Sequence, residues 1–203
     1  MENTDSKNIL LSVIGVAILF VAVVGITYAI FVFTGNGNKK NTISTGTISM
    51  LYTESSNVIS INNAMPMSDS VGKIQNEYFD FSVSAKIKGK ASINYEVRAS
   101  RTDKTDINRL PDNQVNIYLE KQDSNRYVPV MEPKTFIPTS TTLDNTYVNN
   151  DSMLLYKGTI TSNGDISVED KYRLRIWLKE NTEVYNSSMI YKLRVDVYSS
   201  LNK

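Results

Sequence analysis

Near the carboxy terminus, side chains that recognise anions and rings stand at alternate positions: Arg173, Arg175 and Trp177 in "YRLRIWL" (172–178). Lys192 and Arg194 follow in "KLRVDVY" (192–198). Alternate residues of an extended chain share a face. If the two segments lie side by side, they present a basic face with an indole in it. Teichoic acid or lipid head groups would suit the guanidiniums, and the tryptophan would act as an anchor or cation–π partner. The candidate binding face is therefore Arg173, Arg175, Trp177 and Arg194; a plain solvated face with a loop over the indole is the more ordinary reading. Oxygen ligands for calcium occur at Asn149-Asn150-Asp151 and in Asp103-x-x-Asp106-x-Asn108. Neither group has the EF-hand spacing or a distal glutamate, so both read as solvated loops and no metal is expected.

The composition excludes much else. The 203 residues include no cysteine and no histidine. Disulfides, thiolate nucleophiles, zinc fingers, HExxH helices and Ser-His-Asp triads are ruled out. No nucleophile–base pair remains, so neither catalysis, a cofactor nor a small-molecule substrate is expected. Net charge is +1, and from Asn41 onward 19 Lys and Arg meet 19 Asp and Glu. Nucleic acid is thus not an expected partner. The sequon Asn186-Ser187-Ser188 carries weight only in a eukaryotic secretory context, to which nothing else in the chain points.

The element that would fix the location of all this is at the other end. Ile9 to Phe33 runs twenty-five residues without a charge. As a helix it reaches roughly 37 Å, against a hydrocarbon core of about 30 Å. We read residues 1–8 as a cytoplasmic leader, 9–33 as a transmembrane helix or uncleaved signal anchor, 34–40 as a tether, and 41–203 as an extracytoplasmic domain. Lys7 flanks one side and Lys39 and Lys40 the other, so local charge does not set the orientation. A short leader and a long domain favour the amino terminus inside, since long domains translocate largely regardless of charge.

Thr27 and Ala29 have the small-residue spacing of a signal-peptidase site. The apolar run before Ala29 is longer than that of an ordinary cleaved signal, and Ile30 to Phe33 stay apolar after it. Retention is the favoured reading; cleavage and secretion stay open.

Beyond Asn41 the period changes to two. Phe79, Phe81, Val83, Ala85 and Ile87 alternate with polar residues; so do Ile93–Ala99, Val115–Leu119, Tyr172–Leu178 and Tyr191–Val197. Each segment has one dry and one wet face, which predicts antiparallel sheets over a core. Tyr95 and Tyr172 fall on dry faces. Lys88-Gly89-Lys90 and Ser162-Asn163-Gly164-Asp165 read as hairpin turns. Gly46 reads as a bulge, "VPVMEP" as an edge strand or loop, and 139–152 as a surface loop. Eight to ten short strands make this an all-β antiparallel jelly-roll or β-sandwich behind one transmembrane helix.

Three stretches carry a family resemblance: Thr27-Tyr28-Ala29-Ile30-Phe31 followed by "NTISTGTISM" (41–50), "INNAMPMSDSVG" (61–72) leading into "EYFDFSVSAKIKGKASINYEV" (77–97), and the closing "YRLRIWL" and "KLRVDVY". The chain resembles the TasA–camelysin family of Gram-positive surface proteins, clients of the signal peptidase SipW. That resemblance implies a jelly roll outside the membrane, in the cell surface or biofilm matrix, with subunits joined to themselves or another surface protein by strand addition. The protease activity described for camelysin does not carry over to a chain without histidine. The expected role is a membrane-anchored structural or interaction protein, with a cleaved matrix-fibre subunit and an envelope enzyme as alternatives.

Overall fold

The computed structural model describes residues 33–36, 41–44, 48–54, 65–144, 147–183 and 189–202, the first two stretches by backbone alone. Most of Ile9–Phe33, with Thr27 and Ala29, lies outside the described residues, as do Gly46 and Asn186. Among the described residues no helix is long and apolar enough to cross a membrane.

Among the described residues, ten strands form two antiparallel sheets. They are β1 (Phe33–Asn36), β2 (Asn41–Ser44), β3 (Ile48–Glu54), β4 (Phe79–Ile87), β5 (Lys90–Arg101), β6 (Val115–Asp123), β7 (Arg126–Lys134), β8 (Met153–Asn163), β9 (Ile166–Leu178) and β10 (Leu193–Leu201). A single helical turn, α1 (Asp69–Gly72), precedes β4. The four-stranded sheet has the order β1-β10-β5-β8, the six-stranded sheet β2-β3-β4-β9-β6-β7. Six of the nine connections between consecutive strands switch sheets. Chain neighbours therefore tend to lie in facing layers, and their dry faces meet in one core. Phe81, Val83 and Ile87 from one sheet and Ile93, Val97 and Val197 from the other belong to it, as do Tyr95 and Tyr172.

Several expectations change. Phe33, read as the end of the membrane segment, and Thr34–Asn36, read as part of a tether, are in β1, paired with Ser199 to Asp196 of β10. Glycine and asparagine permit a turn but do not impose one, and here a sheet edge supplies partners. The two expected hairpin turns are corners instead. Lys88-Gly89 carries the chain from the six-stranded to the four-stranded sheet, and Gly164-Asp165 carries it back. Turn residues encode a reversal, not the sheet that the next strand joins. The corners lie together: Gly89, at φ +87, donates its N–H to Asp165 Oδ1 (2.9 Å), and Ser162 Oγ–H donates to the Gly89 carbonyl (3.0 Å). β7, with Pro129 and Pro133, is an edge strand as expected.

The strict dry/wet alternation also fails, because both sheets are partly covered on their outer faces. Segment 67–76 covers β9 and β6, held by Asn116 Nδ2 on Asp69 Oδ1 (2.8 Å) and Gln75 Nε2 on the Ile176 carbonyl (2.8 Å). A methyl on Gly72 would stand inside the Trp177 ring. Gly72→Ala is therefore expected to cost about 1–3 kcal/mol by overpacking. The chain's one tryptophan reports the change directly: urea unfolding should come earlier and native emission shift to the red. Wild-type stability and emission would mean that α1 does not seat on the indole.

Candidate functional site

The expected basic face is not assembled. Arg173, Arg175 and Trp177 are on β9 in the six-stranded sheet, Arg194 on β10 in the four-stranded one. The alternation in each strand was legible; the sheet each strand joins was not. Each arginine also has a carboxylate. Arg173 Nε and Nη2 donate to the two oxygens of Asp80, both at 2.8 Å. Its guanidinium lies between the rings of Tyr78 and Tyr127, 3.7 and 4.1 Å from their centroids. Arg175 pairs with Glu120 and donates to the Gln75 carbonyl (3.1 Å). Arg194 pairs with Asp196 (2.8 Å), whose second oxygen also accepts from Ser100 Oγ (2.9 Å). Lys192, the fourth cation considered, pairs with Asp106 (3.0 Å).

Trp177 is 2% exposed, beneath Gly72 and edge-on to Tyr118. It is no surface anchor. Its Nε1–H has no acceptor among the described residues. The oxygens considered for calcium are taken by neighbours. Asp103 is gripped by Arg101 Nε and Nη2 (both 2.6 Å) and by the Lys192 N–H (3.1 Å). Asp151 pairs with Lys104 (3.1 Å), and Asn149 Oδ1 accepts from the Asp151 N–H (2.9 Å). Among the described residues no cluster of acidic side chains has the makings of a metal site.

What the alternation did not reveal is a pair of buried polar clusters. In the first, Glu96 and Arg98 on the outer side of β5 are ion-paired at 2.7 Å with side chains 0% exposed. The loop after β7 closes over them. Glu96 accepts from Thr141 Oγ1 (3.0 Å) and from the N–H and Oγ1 of Thr142 (both 2.9 Å). Arg98 donates Nε to Ser152 Oγ (2.7 Å), Nη2 to the Ser152 carbonyl (2.9 Å) and also to the Thr139 carbonyl. Leu143 and Val148 of the same loop pack on Tyr198. The signal available in sequence was slight: opposite charges two apart in a long alternating strand, and a remote run of threonines.

The second cluster joins the sheets. Tyr95 O–H donates to Asp170 Oδ2 (2.5 Å) and stands 2.6 Å from the Tyr172 hydroxyl. Lys121 pairs with Asp170 at 2.9 Å and lies over the rings of Tyr156 and Tyr172. Gly158 makes room for the Tyr95 ring, where a methyl would collide. Burial pushes both phenols well above their usual range, and the Asp170 carboxylate adds to it. Burial and Glu120 push Tyr118 up to about 12. These phenols are neutral donors at physiological pH, not phenolate nucleophiles.

Burial alone would raise the Glu96 carboxyl, but the donors from Thr142, Arg98 and Thr141 more than offset it and hold its pKa below the ordinary value. A carboxylate with a depressed folded pKa adds stability above its unfolded pKa of about 4.3, and that stability is lost as pH falls through the folded value. The stability gap between wild type and Glu96→Gln should therefore be widest near neutrality and narrow on acidification below about pH 4. A gap that stays constant, or widens in acid, would contradict an ionised Glu96.

No family model matches the chain, and no curated protein matches it. Among solved structures it is similar to an isomalto-dextranase of Arthrobacter globiformis T6 complexed with panose, at 8% identity and a TM-score of 0.29. The match covers 84% of this chain and 23% of that one, so the chain spans about a quarter of that enzyme's length. A likeness this loose says nothing about reaction or substrate.

Proposed function

We propose that the chain is a membrane-anchored cell-surface protein of the TasA-like kind, a structural or interaction component without catalysis. In this reading the apolar run from Ile9 up to the start of β1 holds it in a bacterial membrane, the sandwich is a jelly roll outside, and copies or other surface proteins join it by strand addition. One observation carries the proposal: the contrast among the four sheet edges. β1 and β2 are four residues long, and β7 is interrupted by two prolines. β8 is eleven residues long, has no proline, and among the described residues pairs on one side only, with β5. Thr139 Oγ1 takes the N–H of Leu154, so the loop guards the start of this edge. From Tyr156 to Asn163 no described residue pairs with the free side of the edge, and unpaired edges recruit strands.

Thr159 and Thr161 are exposed on β8 and alternate with buried Ile160 and Ser162. The double change Thr159→Lys and Thr161→Lys places charge along the edge without touching the core. Full-length wild type in detergent should cross-link into oligomers, and the double variant should not, with its melting temperature unchanged. Equal cross-linking of the two would remove β8 as the joint.

A second reading, a cleaved and secreted fibre subunit, has its own support. β1 begins at Phe33, four positions after Ala29, so cleavage behind Ala29 would leave the whole sandwich intact.

A further inference from the structure

We propose that the β4–β5 corner is a docking surface for anionic phospholipid head groups, on which the domain sits against its own membrane. The proposal rests on the anchored reading above. Lys86, Lys88 and Lys90 fall within five residues and all are exposed. None enters an ion pair among the described residues, although most charged side chains of the domain do.

Register explains why they are unpaired. Lys86 stands across from Ser49 on one side and Ser167 on the other, and Lys90 across from Asn163. No carboxylate lies directly opposite either. Of the nearest acids, Asp165 is turned to the Gly89 N–H and Glu169 lies 3.7 Å from Lys171. Lys86 is on the outer side of β4 and Lys90 at the start of β5, so the three ammonium groups straddle both sheets at one end of the sandwich. The chain is neutral from Asn41 onward, yet this end is locally cationic.

It is also the end from which β1 starts, as the apolar run closes in the sequence. Phe33, the last residue of that run, is the first of β1 and pairs with Ser199, which pairs with Tyr95. Lys90 lies five residues before Tyr95 on β5, roughly 17 Å further toward that end at about 3.3 Å per residue. If the bilayer lies on the side from which β1 starts, the corner is nearer to it than Phe33 is. Each lysine close to an anionic surface favours contact roughly fivefold, so three together favour it about a hundredfold.

The test uses the full chain in nanodiscs of phosphatidylcholine alone or mixed with phosphatidylglycerol. Amine acylation is followed by mass spectrometry at Lys86, Lys88 and Lys90, with exposed Lys134 at the far end as reference. Phosphatidylglycerol should slow the corner lysines roughly fivefold or more. Lys134 should not change, and about 1 M salt, with a Debye length near 3 Å, should restore the rate. Equal labelling in both discs would overturn the proposal while leaving the anchor standing. Failure to co-purify with either disc would overturn both. Protection by added poly(glycerol phosphate) but not by phosphatidylglycerol would assign the corner to a wall polymer and overturn the lipid assignment.

Discussion

Replacing Arg98 by alanine is expected to destabilise the domain by about 3–5 kcal/mol, the usual consequence of leaving a buried charge without its partner. Glu96 is the charge left behind. Its side chain is fully buried, and the threonine donors around it favour the carboxylate rather than the acid. The loss should spread to the loop. Arg98 holds Thr139 and Ser152 at the two ends of the stretch that packs Leu143 and Val148 on Tyr198. Hydrogen exchange in 139–152 should therefore rise more than in β4 or β9. Removing both charges, as Arg98→Met with Glu96→Leu, should recover part of the stability, since an apolar pair of similar volume often replaces a buried ion pair at little cost. A single variant within about 0.5 kcal/mol of wild type, the range of an ordinary surface change, would contradict a buried pair.

Phe81→Ala is the second large effect, at about 3–5 kcal/mol. The ring is 3% exposed and stacks on Tyr172 at 5.1 Å between centroids, with Tyr52 at 5.8 Å and Phe79 at 5.9 Å. Removing it opens a cavity where the two sheets meet, beside the Tyr95–Tyr172 hydroxyl contact. Its neighbour Ser82 points the other way, and Ser82→Ala should stay within about 0.5 kcal/mol. Denaturation midpoints of the two variants decide the matter. Similar shifts would mean that β4 is not half-buried, or is buried on the opposite face.

β4 shows what was legible in the chain. Five apolar residues at period two predicted the strand, its dry face and the place of Phe81 in the core, because that period follows from backbone geometry alone. Trp177 shows what was not. It occupies a wet position by the same count, yet segment 67–76 lies across it. Nothing local to β9 encodes that cover; the nearest clue is a glycine over a hundred residues earlier. The corners at Gly89 and Gly164 fail for a related reason, since the choice of sheet is made by the core as a whole. The arginines illustrate the same limit in electrostatics. Their alternation predicted exposure on one side, but Asp80, Glu120 and Asp196 neutralise them from other strands or from two residues away. Of the clustered lysines without an ion pair, Lys86 was read as a wet-face strand residue and Lys88 and Lys90 as part of a turn. Their isolation becomes visible once the register puts Ser49 and Ser167 opposite Lys86 and Asn163 opposite Lys90.

The amino-terminal sequence of the protein recovered from cells tests anchored surface display most directly. If the apolar run from Ile9 to the start of β1 stays in the bilayer, the peptide bond after Ala29 lies about 30 Å along the helix, at the far edge of the hydrocarbon core, with Ile30, Phe31 and Val32 between it and β1. The protein should then be found in the membrane fraction, resist carbonate extraction and begin upstream of Ile9. Protein found mostly in the medium and beginning at Ile30 would contradict the anchor and leave the secreted-fibre reading in its place.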